Sequence, residues 1–228
     1  MKKTKEYVFS LTARRIAPVI SLVLFAFAVL TIGILQHQYY NNTYSEQDLQ
    51  RFTETLKSKE AALNDLFVGL SDDFAEGDPL MLLNEESDRL KRLAEQQDMY
   101  IFYYENGRLR YWTDHSVPLG KRLTSKLMSP VIQTMSATYV ALHQPVENGM
   151  LLGLILVRTE YPYENDYLED GYQKDFKLDA AVELFSQPGP GLSDITNQHG
   201  EYLFSIDLKT RLKGNELNVT ISLFMFML

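Results

Sequence analysis

Residues Ile16 to Leu35, IAPVISLVLFAFAVLTIGIL, run for 20 positions without a charged side chain. No other stretch restricts the fold so strongly. At about 1.5 Å of rise per residue, a helix of this length spans roughly the 30 Å hydrocarbon core of a bilayer. Pro18 falls in the first turn, where a helix tolerates it. A helix buried in a soluble core shows a polar side, and here only Ser21 and Thr31 offer one. The alternative is a cleaved signal peptide, whose apolar region is about 7–15 residues long and ends in small residues. This run is longer and leads into Gln36-His37-Gln38-Tyr39-Tyr40. The sequence therefore predicts an uncleaved transmembrane helix over 16–36.

Its flanks predict its direction. Lys2, Lys3, Lys5, Arg14 and Arg15 precede it against Glu6 alone, and no Lys or Arg follows until Arg51. Positive residues stay in the cytoplasm, which makes 1–15 a cytoplasmic tail and sends the following chain outside. The expected location is a bacterial inner membrane, with one exported domain over 37–215 in the periplasm. The tail holds five of the 22 basic and one of the 30 acidic residues, leaving 17 against 29 and a formal charge of −12. Such a domain does not attract nucleic acid through net charge. The chain has no cysteine, which excludes disulfides, thiolate metal sites and cysteine nucleophiles.

Beyond the membrane, Ser45 reads as the N-cap of a long helix to Leu70. Leu49, Phe52, Leu56, Leu63, Leu66 and Leu70 form a stripe that Lys59 interrupts. The stripe suits packing on the domain's own sheet, or a parallel helix pair across a homodimer. Gly77-Asp78-Pro79 breaks the chain before a second helix over Asn84–Gln97. From Met99 the period changes to two. Asn106-Gly107 predicts a type I′ hairpin turn, pairing Tyr104 with Leu109 and Phe102 with Tyr111 on one side. The other side pairs Glu105 with Arg108, Tyr103 with Arg110, and Ile101 with Trp112. Helical segments are expected over Lys121–Ser136, interrupted at Pro130, and over Asp175–Phe185. A second hairpin turning at Asn148-Gly149 pairs Leu142 with Ile155 and Val140 with Val157. Its opposite side pairs His143 with Leu154, Ala141 with Leu156, and Tyr139 with Arg158. The near-continuous apolar run Met150–Val157 predicts a central strand covered on both faces. A further strand is expected over Tyr202–Ile206. The predicted class is α+β, with long helices before an antiparallel sheet.

Signatures of catalysis are missing. There is no phosphate-binding glycine loop, HExxH or serine elbow, and the four histidines are scattered, so no catalytic residue, metal ligand or cofactor is assigned. Glu164, Asp166, Glu169 and Asp170 form an acidic cluster whose spacing does not fit a calcium loop. The more informative set is Tyr103, Arg110, Trp112, Tyr139, His143 and Arg158, placed by the two hairpins opposite their apolar sides. Aromatic walls with guanidinium groups suit a small anionic or amphipathic ligand. A solvated face with both arginines laid over the tyrosines is the alternative.

YIFYYENGRLRYWTDHSVPL, ENGMLLGLILVRTEYPYENDYL and GEYLFSI resemble the exported N-terminal region of membrane-bound sensor histidine kinases from Bacteroidetes-type bacteria. The resemblance covers most of residues 37–210. It implies a two-component signal-transduction sensor with a PAS-like or Cache-like sheet, responding to an unknown small molecule or periplasmic protein. No kinase motif is present, so the chain itself is not expected to be an enzyme. The competing expectation is a membrane-anchored structural or protein-binding exported domain. The apolar segment 217–228, LNVTISLFMFML, reads as the start of a second transmembrane helix. At about 1.5 Å per residue it reaches only part of the way across, which predicts a natural continuation into a kinase. A pairing strand on the exported domain is the alternative.

Overall fold

The computed structural model describes residues 46–161 and 169–208, within a unit that begins at Tyr44. The expected spans 16–36 and 217–228, and the Ser45 cap, lie outside the described residues. Among the described residues no helix is long and apolar enough to cross a membrane. The architecture is α+β.

Helix α1 (Glu46–Glu76) buries one stripe: Phe52, Leu56, Leu63, Leu66, Phe67, Leu70 and Phe74. That stripe packs inside the domain, in one cluster with Ile101, Tyr103, Leu151 and Ile155 of the sheet. This is packing on the domain's own sheet, one of the two arrangements the spacing suits. Lys59, the apparent break in the pattern, sits on the same buried side. Its ammonium lies 2.6 Å from Asp175 Oδ2 and donates to the Gln97 carbonyl at 2.8 Å. A charged lysine is therefore tolerated in the stripe because its head group has partners.

Two shorter helices follow, α2 (Pro79–Glu85) and α3 (Ser87–Gln97). Asp78 caps α2 by accepting from the Leu80 N–H at 2.9 Å, with Pro79 at the first helical position. The main sheet is antiparallel, in the order β2 (Arg108–Trp112), β1 (Met99–Glu105), β5 (Gly149–Thr159), β4 (Ala137–Val146), β3 (Val131–Gln133). β6 (Gly171–Tyr172) joins β5 beyond the end of β1. β5 is central and its Leu151–Ile155 segment is buried, as its apolar run predicts. A second sheet has the order β7 (Glu183–Phe185), β9 (Tyr202–Asp207), β8 (Ser193–Thr196). Phe52 joins α1 to this region, its ring 4.4 Å from that of Phe176 and 6.2 Å from that of Phe204.

Both hairpins differ from their predicted registers. In the second, Glu147 and Asn148 form the loop, so Val146 pairs with Gly149. Val140 then faces Ile155, Ala141 faces Leu154, and His143 faces Leu152. This shift of two leaves every side chain on its expected face. A bulge then sets Arg158 opposite Thr138, not Tyr139. The first hairpin turns at Asn106 (φ 49°) and Gly107 (φ 73°), as a type I′ turn requires. Its pairs hold as far as Tyr104 with Leu109. A bulge then leaves Arg110 without a partner strand residue, so Tyr103 faces Tyr111 and Phe102 faces Trp112. One extra residue reverses the faces of everything beyond it.

Two expected helices are mostly absent. Residues 121–136 hold a 3₁₀ turn at Ser125–Met128 and then β3. Pro130 forces Ser129 into extended backbone, which ends the turn. Residues 174–185 hold a 3₁₀ turn at Lys174–Phe176, stopped by Lys177 in the left-handed region (φ 54°), and then β7.

Gly153 marks the closest approach of α1 to the sheet. A Cβ there would stand 2.8 Å from Phe67 Cζ and 3.0 Å from Leu63 Cδ1. Gly153→Val should therefore cost about 2 kcal/mol through overpacking. A urea-unfolding midpoint unchanged from the parent chain would refute this close contact.

Glu60 is buried beside Lys59 and accepts from the Gln198 N–H at 2.9 Å. Burial raises its carboxyl above the ordinary range, and that hydrogen bond offsets only part of the effect. A raised carboxyl binds its proton more tightly when folded, so its destabilising charge is present at high pH and vanishes as pH falls. Glu60→Gln keeps an acceptor and removes the charge. It should stabilise the domain at pH 8, with the advantage shrinking towards about pH 4.5, where the ordinary carboxyl titrates. Urea midpoints at the two pH values measure this, and a constant difference would count against it.

Candidate functional site

The outer face of the sheet, opposite α1, carries Tyr100, Phe102, Tyr104, Tyr139, Ala141, Leu152 and Leu154, packed under Val117, Leu127 and Ile132. The covering chain is held at several points. Thr113 donates its N–H to the Ile101 carbonyl, and its Oγ1 accepts from the Ile101 N–H, both at 3.0 Å. The chain then leaves the sheet at Asp114, whose carboxylate accepts from the Ser116 N–H. It returns antiparallel to β2: Leu109 N–H donates to Lys121 O, and Leu123 N–H donates to Gly107 O, each at 2.9 Å. Tyr104 Oη donates to Gly120 O at 3.0 Å. Burial pushes this phenol up to about 12, so it remains a donor throughout the physiological range.

Between β2 and this returning strap lies a groove of about 650 Å³. Phe102 and Leu109 form its floor, and Val117, Pro118 and Leu119 supply an apolar wall. Trp112 and His115 stand at one side. The indole Nε1–H donates to His115 Nδ1 at 3.0 Å, with the rings edge to face. Arg108, Lys121 and Arg122 line it as cations, against Asp114 as the one lining carboxylate among the described residues. The volume falls within the usual range of small-molecule sites, about 300–1,000 Å³. Among the described residues no group of acidic or histidine side chains is placed to hold a metal ion.

The six residues singled out from the sequence do not share one site. Trp112 lines the groove. Tyr103 is on the other face, wholly buried under α1, with its ring against Phe74. Arg110, the bulge residue, is half-exposed and pairs with Glu105 at 3.2 Å. Tyr139 is buried edge to face with Tyr100, and burial pushes its phenol up to about 12. His143 Nε2 lies 2.6 Å from the Leu127 carbonyl and holds the 3₁₀ turn in place. Arg158 is buried as a clamp: its guanidinium donates to the Val182 and Ala180 carbonyls and lies 5.2 Å from the Tyr172 ring centre. Its Nε stands 3.0 Å from Glu160 Oε1 without the alignment of a hydrogen bond. In the acidic cluster, Asp170 accepts from the Tyr161 N–H at 2.6 Å; Glu164 and Asp166 lie outside the described residues.

Arg108, His115, Lys121 and Arg122 were not singled out in the sequence. Arg108 pairs with Glu105 across the hairpin, as the sequence predicts, whereas 121–123 fall inside an expected helix that does not form. Only the long-range pairing of the strap with β2 brings them together.

The two arginines first grouped together should separate by stability. Arg158→Ala should cost about 3 kcal/mol, because it strips buried carbonyls of a charged donor. Arg110→Ala should stay within about 0.5 kcal/mol, as an exposed pair does. Chemical denaturation of both variants measures the difference, and equal midpoints would refute the clamp.

No protein-family model, curated protein or solved structure matches the chain, so its function is argued from its own residues.

Proposed function

We propose that this chain is the sensing and membrane-anchoring part of a membrane-bound sensor histidine kinase, with residues 37–215 exported and folded as a PAS-like or Cache-like domain. The observation that carries this reading is the groove on the outer sheet face, roofed by a strap and lined by both apolar and charged side chains. A ligand seated there touches β2, whose Trp112 pairs directly with Phe102 of β1. On the opposite face β1 packs against α1 in the main core, and α1 begins nine residues after the expected span over 16–36. Binding can thus reach α1, the described element nearest in sequence to the expected span, through one layer of sheet. The chain senses and anchors; catalysis belongs to a kinase region outside it.

The alternative, an anchored protein-binding domain, calls for a flat apolar patch. Among the described residues the exposed large apolar side chains are Val68, Met81, Trp112, Met128 and Met135, which fall in five different segments of the chain. That distribution favours a ligand groove over a docking plane.

The chain has no cysteine, so a single introduced thiol reports without background. In intact cells an impermeant maleimide should label Gln47→Cys, on the exposed start of α1, and spare Thr4→Cys. The reverse pattern would overturn the exported-sensor reading. Residues 1–228 grafted onto the cytoplasmic part of a histidine kinase test the signalling role. Filling the groove with Leu109→Trp should change phosphate transfer to the receiver, whereas an output indifferent to it favours the protein-binding alternative.

A further inference from the structure

The strap does more than cover the sheet. Its bridge to β2 sets Arg108 directly opposite Arg122 in an antiparallel pair, with Lys121 next in sequence. Like charges in that relation repel. Among the described residues none of the three has a carboxylate within ion-pair distance. This stands out in a chain that carries −12 beyond its first 15 residues. Arg110 and Arg158, by contrast, each have a glutamate beside them. The groove therefore joins a repelling cationic lip to an apolar floor and an indole wall.

We propose that the groove binds a small oxyanion carried on an apolar body, such as an aryl or short-chain alkyl carboxylate. The head group lies between Arg108 and Arg122, where it relieves their repulsion and gains charge-assisted hydrogen bonds. The apolar body covers Leu109 and Leu119 and packs on Trp112. A bare inorganic anion leaves that floor wet. A neutral ligand leaves the guanidinium repulsion in place. A nucleic acid needs a broader run of cations than three in so acidic a domain. The proposal deepens the sensing reading by naming the ligand class of its groove, and it rests on that groove being the ligand site.

Trp112 is the only tryptophan of the chain, so indole emission reports on this groove alone. The test titrates the full chain, in phosphatidylcholine nanodiscs, with phenylbutyrate, its uncharged amide and inorganic phosphate. Phenylbutyrate should change the Trp112 emission saturably, and added salt should weaken it. The amide and phosphate should each bind at least about tenfold more weakly, a difference of about 1.4 kcal/mol. Arg108→Ala with Arg122→Ala should weaken phenylbutyrate by about tenfold or more, while Arg110→Ala leaves it unchanged. Calorimetry on Trp112→Phe checks that binding persists when the optical signal is removed. Equal affinity for acid and amide, equal affinity for phosphate, or no saturable change with phenylbutyrate would each overturn the proposal. The acid-to-amide comparison uses the unmodified chain, so it stands even if the double variant fails to fold. A failure here leaves the labelling pattern and the graft response untouched, whereas a reversed labelling pattern leaves groove binding intact.

Discussion

The rest of the domain depends on how one helix face serves two sheets. α1 presents a single apolar stripe, and its two ends face different partners. Phe52 packs among Tyr172, Phe176 and Phe204, while Leu63 and Phe67 press on Gly153 of the central strand. Each such side chain contributes roughly 1.5–3 kcal/mol by leaving water, so the stripe supplies most of the adhesion. Apolar contact is non-directional, however, and does not by itself set the helix along its axis. Between the two ends, Lys59 reaches Asp175 and the Gln97 carbonyl, and Glu60 reaches the Gln198 N–H. Such bonds add only about 1 kcal/mol each on balance, but leaving either charge unmet is expensive, which selects one register. The hydrogen bond from Lys59, helped by a second from Gln173 Nε2, also holds the Asp175 carboxyl below its ordinary range, against the opposing effect of its partial burial.

On the opposite face the decisive feature is a single surplus residue. Strict alternation along β2 would send Trp112 under α1, into a region already filled by Tyr103 and Phe74. The bulge at Arg110 instead gives the α1 side to Tyr111 and turns the indole outwards. The same bulge ends regular pairing and releases the chain, pinned at Thr113, to loop away and return as the strap. Groove, indole and opposed arginines therefore have one local origin. A bulge placed where a side chain must be re-aimed is a recurrent device in sheets.

The buried tyrosines show how the sheet keeps polar groups inside it. Tyr104 donates to Gly120 and thereby ties the strap to β1, and Tyr172 donates to Val182 beside the Arg158 clamp. Tyr103 Oη is buried with no hydrogen-bond partner, and nothing in the structure accounts for it. Arg158 and His143 both spend their polarity on backbone carbonyls of irregular segments. Their role is to fasten loops, and that explains why charged and aromatic residues opposite an apolar face resemble a binding site in sequence without forming one.

Much of the architecture is legible from periodicity. The α1 stripe, the two hairpins, the central position of β5 and the Asn106-Gly107 turn all follow from local spacing, because burial on one face imposes a period of 3.6 or 2 and a turn imposes its own backbone angles. Lys59 read as a fault in the stripe because its partner Asp175 is more than a hundred residues away. The helices expected over 121–136 and 175–185 failed because Pro130 and the left-handed Lys177 stop them locally and the sheets claim the rest. Neither bulge leaves a mark in composition, and one of them decides which face Trp112 occupies. The cationic lip is further from the sequence still. Arg108 and Arg122 become neighbours only when the strap pairs with β2, a contact fixed by tertiary closure over the outer sheet face. Spacing along the chain determined which residues are buried and in what element, since those depend on neighbours a few positions away. Which charges meet was decided by the fold alone, since electrostatic proximity depends on distance in space.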